Sequence, residues 1–505
     1  MFKTINKSST LYILAVVIFF LKISTFEEIF YTYGDDSWVL VGSNYTDVFD
    51  KVICCAFSQL GFSLFFQNLF LLAPSTDIYI KLLFFLFCFT SVIVVNYTNL
   101  NFNFYEKLIF LMLLYNSPML MNYSLRSKPF VFESLITLFI LGLLLKSNSI
   151  NNIENKILVY FSIFIFFSLV TIIPITAFFF ILLRKKILKL NKNLFSYIPF
   201  SIFVAIISFL SFLKKNSEID LGWISYYAPS EGGIGLFFRW LYFSVIRIFT
   251  ESNKLDLGAS GFSTFVSVSL FLLGVYYLVF IKRNYLAFEF GLYIFLINIV
   301  LSILKIYTFG GSRANIYYMA LVIYFISMGV VFLLEKLPIN KNVFVAIFVS
   351  YTLFSINALS VSYSQTTRSF DQTSAQSIVE FINTSDDEIL IYHGGLWTIG
   401  TYYDEKINLE ELQYPFEGSG TNNMPVPNLA KDNHIIICTE YIEESNCFKK
   451  IDKFLKENNK KTIFLAALHY RDHQLNEYLK AFKENNYSKE EILTGEETSL
   501  IKYSK

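Results

Sequence analysis

The chain has 505 residues, is 54% hydrophobic and 19% aromatic with only 16% charged, and carries a formal net charge of +1. That composition excludes an ordinary soluble domain and marks a polytopic membrane protein. Near-neutrality leaves no basic surface of the kind that binds nucleic acid.

Lys3 and Lys7 precede the first apolar run, Leu11–Ile23. No small-residue cleavage site follows, so the run reads as an uncleaved anchor. Just beyond it comes Tyr31–Trp38, Tyr-Thr-Tyr-Gly-Asp-Asp-Ser-Trp. Asp35 and Asp36 stand behind a glycine that lets the backbone turn sharply. They lie close to a membrane face, where an ionised side chain is expensive and functional by default. A helix cap at Asp36 would account for one carboxylate and not for two. The loop 24–76 continues through Asp47 and Asp50 to the apolar stretch Val52–Leu72. That stretch is expected along the membrane surface, because a crossing there would invert the charge pattern.

Further spans are expected at Ile78–Val95, Tyr105–Met121, Pro129–Leu145, Ile157–Val170, Ile172–Leu183, Leu194–Leu213, Phe262–Ile281, Leu286–Ile306, Ile316–Leu334 and Val343–Ser360. Pro174 makes the two short spans around it a broken or tilted hairpin. With a cytoplasmic N-terminus and about eleven spans, three basic groups fall on the cytoplasmic side: Arg184 to Lys192, Lys282–Arg283, and Lys336 with Lys341. The Asp35–Asp36 loop and the C-terminal region then lie outside. Gly235–Thr250 is apolar but holds Arg239 and Arg247, and reads as an amphipathic helix on the outer interface. The preceding loop offers Trp223, Tyr226 and Tyr227, either as an interfacial aromatic belt or as platforms for stacking a sugar.

After Ser360 the composition becomes that of a soluble protein. β-rich runs at Glu388–Tyr392, His434–Cys438, Thr462–Ala467 and Ser499–Tyr503 alternate with helical patterns at Thr373–Asn383, Cys447–Glu457 and Gln474–Glu484, predicting a small α/β domain. It contains no glycine-rich phosphate loop and no metal-ligand spacing. The expected division is a membrane domain over 1–361 and an extracytoplasmic domain over 362–505. Cys54, Cys55 and Cys88 fall in apolar sequence as packing residues, whereas Cys438 and Cys447 could pair if exported. All four histidines, His393, His434, His469 and His473, follow the last span. Acid–base chemistry in the membrane part therefore falls to carboxylates.

On the outer face this topology gathers Asp35 and Asp36 with Arg126, Lys128, Arg239, Arg247 and Arg313. A carboxylate facing cations at a lipid–water boundary suits transfer of a group from a lipid phosphate. The acid deprotonates an acceptor hydroxyl, and the cations hold the departing phosphate. Adjacent carboxylates cannot share one point, so one is the base and the other caps, orders the loop or binds a divalent metal. The sequence does not choose between them, though Asp35 is favoured.

In chain order these motifs resemble the membrane glycosyltransferases of the GT-C class, especially the protein O-mannosyltransferases and the lipid A aminoarabinose transferase. Gly34-Asp35-Asp36-Ser37 matches the acidic pair after the first span, with Asp for the commoner Glu at the second position. Ser124-Leu125-Arg126-Ser127-Lys128-Pro129-Phe130 is similar to a Ser-x-x-Ala-Arg-Pro-Tyr segment, and Ser312-Arg313-Ala314-Asn315 partly matches a Ser-Arg-Tyr entry to a late span. The resemblance covers roughly 8–360. It implies a GT-C-like fold and inverting transfer of a sugar from a polyprenyl-phosphate donor to a glycan, lipid or protein hydroxyl at the outer face. Asp35 or Asp36 would act as base, and Arg126, Lys128, Arg239 and Arg313 would bind the lipid phosphate. A bacterial inner membrane is the expected location. The alternative is a lipid or glycan flippase, which would call for internal repeats and mid-membrane charges. No repeat is present, and Glu133 and Glu289 are the few charges away from span ends.

Overall fold

A computed structural model describes the chain outside residues 1–6, 25–36, 48–59, 148–154, 186–201, 203–205, 207–226, 230–232, 251–259, 311–312, 354–370, 413–423, 430–432 and 436–446, and outside scattered single residues and pairs that include Trp38 and His393. Asp35, Asp36, Trp223, Tyr226 and nearly all of the expected span Leu194–Leu213 therefore lie outside the described residues, as do Asp50, Cys54, Cys55 and Cys438.

In chain order the helices are α1 Lys7–Ile23, α2 Leu60–Leu72, α3 Thr76–Tyr97, α4 Phe104–Tyr115, α5 Pro118–Tyr123, α6 Phe130–Ser147, α7 Asn155–Phe167 and α8 Ile172–Arg184. They continue with α9 Gly233–Thr250, α10 Ser260–Tyr276, α11 Tyr285–Ile303, α12 Met319–Lys336 and α13 Asn342–Leu353. Four stretches among the described residues are long and apolar enough to cross a membrane: α3, Thr264–Ile281, α11 and Asn315–Lys336. The chain divides into two compact units. The first comprises Met1–Phe26, Ile80–Phe209 and Gly222–Tyr363; the second comprises Glu27–Tyr79, Leu210–Leu221 and Ser364–Lys505. The division at Tyr363 falls close to the expected change of composition. The second unit, however, also takes in the loop that follows the first helix.

Local chemistry sets the helix ends of the first unit. Asn103 and Glu106 form a capping box that starts α4. The single span expected over Tyr105–Met121 is in fact two helices, because Pro118 has no N–H to continue α4 and instead opens α5 at its first position. Around Pro174 the expected hairpin is present. Ser168 is extended, Leu169–Thr171 forms a 3-10 turn, and Pro174 sits in the first turn of α8, where its missing N–H costs little. α10 and α12 cross closely at glycines: a Cβ on Gly274 would lie 1.8 Å from the Phe325 carbonyl, and one on Gly329 would lie 2.0 Å from that of Leu270. Phe265, Leu272, Leu296 and Val300 stay exposed, as lipid-facing side chains do.

Polar contacts at one end of this unit join the loops that carry the basic groups. Lys282 lies 3.9 Å from Glu106 and Arg184 pairs with Glu289. Tyr105 donates to Asn342 at 2.9 Å. Glu289 is thus an end-of-span partner and not a mid-membrane charge. These pairings put the loops before α4, α11 and α13 on one side, the alternation expected from charge.

The second unit is built on a mixed sheet. Its helices are α14 Gln372–Thr384, α15 Leu396–Thr401, α16 Cys447–Glu457 and α17 Asp472–Glu484. Its strands are β1 Ile389–Ile391, β2 Asn408–Leu412, β3 Met424–Asn428, β4 His434–Ile435, β5 Thr462–Leu468, β6 Ser488–Gly495 and β7 Thr498–Ser504. The sheet order is β4-β1-β5-β7-β6, with β2 and β3 a separate antiparallel pair. β1 is parallel to β4 and β5, while β7 is antiparallel to β5 and β6. Alternate residues of the central strands feed two cores. Ile389, Ile391, Phe464, Ala466 and Leu468 pack against α14 and α15. Leu390, Ile463, Leu465, Ala467 and Tyr503 pack against α16 and α17. The first core also takes Val41 and Tyr45 from the loop after the first helix. In that loop Val41–Asn44 forms a 3-10 turn backed by α2, and a Cβ on Gly42 would collide with Gln67, whose Nε2 donates to the Val39 carbonyl at 3.0 Å. α2 is the described part of Val52–Leu72: it buries Leu60, Phe62 and Phe66 and leaves Leu71 and Leu72 exposed.

Candidate functional site

The cationic motif before α6 is held by the turn that ends α5. Ser124 Oγ donates to the Met121 carbonyl at 2.6 Å and the Arg126 N–H to that of Tyr123 at 3.3 Å. Along Arg126–Pro129 burial alternates: Ser127 and Pro129 are buried, while Arg126 and Lys128 are half-exposed. The segment is a turn, and both of its cations keep partial access to its surroundings. The Arg126 guanidinium lies 5.6 Å from the centre of the Tyr123 ring.

The 3-10 helix that begins at Arg313 packs against α6, which follows these cations in the chain. Gly310 adopts φ +121°, a conformation open to glycine, and a Cβ there would crowd Ser244 of α9 at 3.2 Å. A 3-10 helix, Arg313–Tyr318, then leads into α12. Tyr318 donates to the Gly310 carbonyl at 2.8 Å, Asn315 to Thr308 Oγ1 at 3.2 Å, and the Ala320 N–H to Ser134 Oγ of α6 at 2.7 Å. The backbone of Arg313 is thereby fixed at the end of the unit where α6 begins. α9 closes the same end. Trp240 and Ser244 are buried on its inner face, Trp240 with its ring 5.8 Å from Phe309. Arg239 projects from the exposed face, over the Phe243 ring at 5.8 Å. α9 is thus an amphipathic helix with its apolar inner face on protein and Arg239 on its exposed face.

Of the aromatic residues expected to stack a sugar, Tyr227 is described. It is half-buried beneath the Lys305 ammonium, 5.8 Å from its ring centre. Lys305 donates to the Ala228 carbonyl, and the Ala228 N–H donates to Ser302 Oγ at 3.0 Å. Lys305 escaped the sequence reading because Leu286–Ile306 looked like one continuous span. The helix ends at Ile303, and Lys305 takes a left-handed φ of 58°. Glu133 is a second residue whose role was not apparent from sequence. Fully buried one turn into α6, it accepts from Ser168 Oγ at 2.5 Å. Asn298, hydrogen-bonded to Tyr317, adds a further buried polar group at this end.

Behind the Gly310 turn, α9, α10, α11 and α12 enclose an apolar cavity of about 300 Å³ lined by residues that include Ile248, Phe271, Gly291, Phe295, Val322 and Phe325. Phe309 and Tyr318, from the turn itself, form part of its wall. Among the described residues no group of three His, Cys, Asp or Glu could hold a metal ion. Asp35 and Asp36 lie outside that statement.

No protein-family model matches the chain, and no curated protein matches it in sequence. A solved structure does. The crystal structure of ArnT from Cupriavidus metallidurans bound to undecaprenyl phosphate aligns with 98% of this chain and 97% of its own, with a TM-score of 0.53 at 10% identity. The chain has an ArnT-like fold. The polytopic helical architecture with a small C-terminal sheet expected from sequence agrees with that fold along nearly the whole chain. Within this ArnT-like fold, the described residues offer two half-exposed cations, Arg126 and Lys128, and a separate apolar cavity between α9, α10, α11 and α12.

Proposed function

We propose that the protein transfers a sugar from a polyprenyl-phosphate donor to a hydroxyl acceptor at the outer face of a bacterial inner membrane, with inversion at the anomeric carbon. The observation that carries this reading is the ArnT-like fold over 98% of the chain, since the matched ArnT structure holds undecaprenyl phosphate. The apolar cavity behind the Gly310 turn supports it by offering room for isoprene units, and Arg126 and Lys128 support it as two half-exposed cations close together in the chain.

Asp35 or Asp36 accepts the proton of the acceptor hydroxyl as its oxygen attacks the anomeric carbon. The bond to the donor phosphate breaks on the opposite side of the ring. Arg126, Lys128 and Arg313 stabilise the charge gathering on that phosphate. Arg239 adds attraction for anionic headgroups at the interface. A phosphate monoester leaves without protonation, so a second acid of the kind a glycosidase uses is unnecessary. Tyr227, with Trp223 and Tyr226, provides aromatic surface for the sugar. A divalent metal at the other aspartate would add positive charge beside the phosphate. The C-terminal unit lies outside the cell membrane in this scheme.

The test supplies purified protein with undecaprenyl-phosphate-linked pentoses and hexoses and follows release of undecaprenyl phosphate. Release that depends on Asp35 or Asp36 supports the reading. Lipid translocation without release would assign the chain to the flippase class.

A further inference from the structure

Ser37 directly follows the acidic pair in the chain. Ser37 is fully buried. Thr398 Oγ1, on α15, donates to Ser37 Oγ at 3.2 Å and lies 2.9 Å from His469 Nε2. With its hydrogen spent on Ser37, Thr398 accepts from the imidazole, which requires the proton on Nε2. One turn further along, Thr401 Oγ1 shares its hydrogen between its own helix, the Trp397 carbonyl at 2.7 Å, and the Ser37 carbonyl at 3.0 Å. The attachment is reciprocal: Asn44 Nδ2 donates to the carbonyls of Gly400 and Thr401, which end α15 without helical partners. Both sides of this attachment are packed into the fold of the second unit. Val41 and Tyr45 belong to the same core as Leu396 and Ile399. His469 adopts a left-handed φ of 54° where β5 ends, and its backbone N–H is held by the Glu497 carbonyl at 2.9 Å.

Core packing explains Val41 and Tyr45, but it does not explain two threonine hydroxyls spent on a serine. We propose that Thr398, supported by His469, is a positioning residue: it fixes Ser37 and thereby the register of the acidic pair that the reaction needs. This rests on the proposed function, in which Asp35 or Asp36 is the base. The Cα of Asp36 is about 3.8 Å from that of Ser37 along the chain. A displacement of about 1 Å at a reacting group is enough to lower a rate by around two orders of magnitude. The C-terminal unit would then set the register of the acidic pair.

The experiment uses the full chain in lipid nanodiscs with the undecaprenyl-phosphate-linked sugar that supports turnover, comparing wild type with Thr398→Val, Thr398→Ser and His469→Gln. Hydrogen exchange of the 30–45 and 462–468 peptides is read in parallel. Thr398→Val keeps the shape and removes the hydroxyl. It is expected to lower kcat about tenfold or more, leave KM for the donor within about twofold, and speed exchange in 30–45 while 462–468 stays protected. Thr398→Ser restores both readouts, and His469→Gln gives a smaller loss of the same kind. Unchanged kcat and unchanged 30–45 exchange in Thr398→Val overturn the inference. So does a loss accompanied by faster exchange in 462–468, which would make Thr398 a residue of general stability. If Asp35→Asn and Asp36→Asn both remain active, the catalytic reading fails instead, and the exchange data still report whether Thr398 holds Ser37.

Discussion

Two adjacent carboxylates point about 100° apart on a helix and about 180° apart on a strand, so Asp35 and Asp36 cannot serve one reacting atom equally. Replacing them singly with asparagine should therefore give unequal losses. The base costs about 10²–10⁴-fold in kcat, and its neighbour costs less and acts mainly on donor KM. Turnover assays on normally inserted variants measure both. Among the cations, Arg126→Ala should weaken undecaprenyl phosphate binding about tenfold or more, the scale of a lost charge-assisted hydrogen bond. Arg239→Ala should change it by less than about threefold, because that side chain lies on the exposed face of α9. Titration of the lipid against each variant separates the two. Asp35, Arg126 and Arg313 stood out in sequence because charge is rare near hydrocarbon. Lys305 did not, since a left-handed residue just past a helix end carries no periodic signal. Glu133 was visible only as an oddity, because its partner Ser168 belongs to another helix.

At the level of elements, the α10–α12 crossing depends on Gly274 and Gly329, whose backbones approach the partner carbonyls too closely for a side chain. Gly329→Ala should destabilise the first unit by about 1–3 kcal/mol or more, read as a lower midpoint of thermal unfolding in detergent. In the second unit, α16 and α17 are tied by Asp452, which accepts from Lys456 at 2.6 Å and Asn485 at 2.8 Å. The Lys456 hydrogen bond, then that of Asn485, holds the Asp452 carboxyl below its ordinary range. A lowered folded-state value means the contribution is present above the unfolded carboxylate's pKa and fades as the pH falls through the folded one. Asp452→Asn should thus lower the unfolding midpoint slightly near neutrality and leave it unchanged in strong acid. Periodicity made the alternating strands and helices of the C-terminal unit legible, as well as the hairpin at Pro174. β6 was missed: its exposed Lys489, Glu490 and Glu491 show no apolar alternation, and it is a strand because β7 pairs with it.

For the molecule as a whole, the sequence places a division near residue 361, and the structure sends the first loop to the far side of it. Nothing local could announce that Ser37, Val41 and Asn44 meet α15, since these contacts join residues more than 350 positions apart. The polytopic helical architecture was legible because long apolar runs and the charges that interrupt them are visible in the sequence. The apolar cavity was not, being formed by faces of four helices. Filling it with Val322→Phe should weaken binding of undecaprenyl phosphate several-fold while leaving a short water-soluble phosphate ligand unaffected. The most direct test of sugar transfer by an acidic pair is to incubate the purified protein with an undecaprenyl-phosphate-linked sugar and a hydroxyl-bearing acceptor extracted from bacterial membranes, and to compare wild type with the Asp35→Asn, Asp36→Asn double variant. Wild type should release undecaprenyl phosphate and yield a glycosylated acceptor of inverted anomeric configuration, and the double variant, equally inserted, should release none; equal release by both would contradict the account.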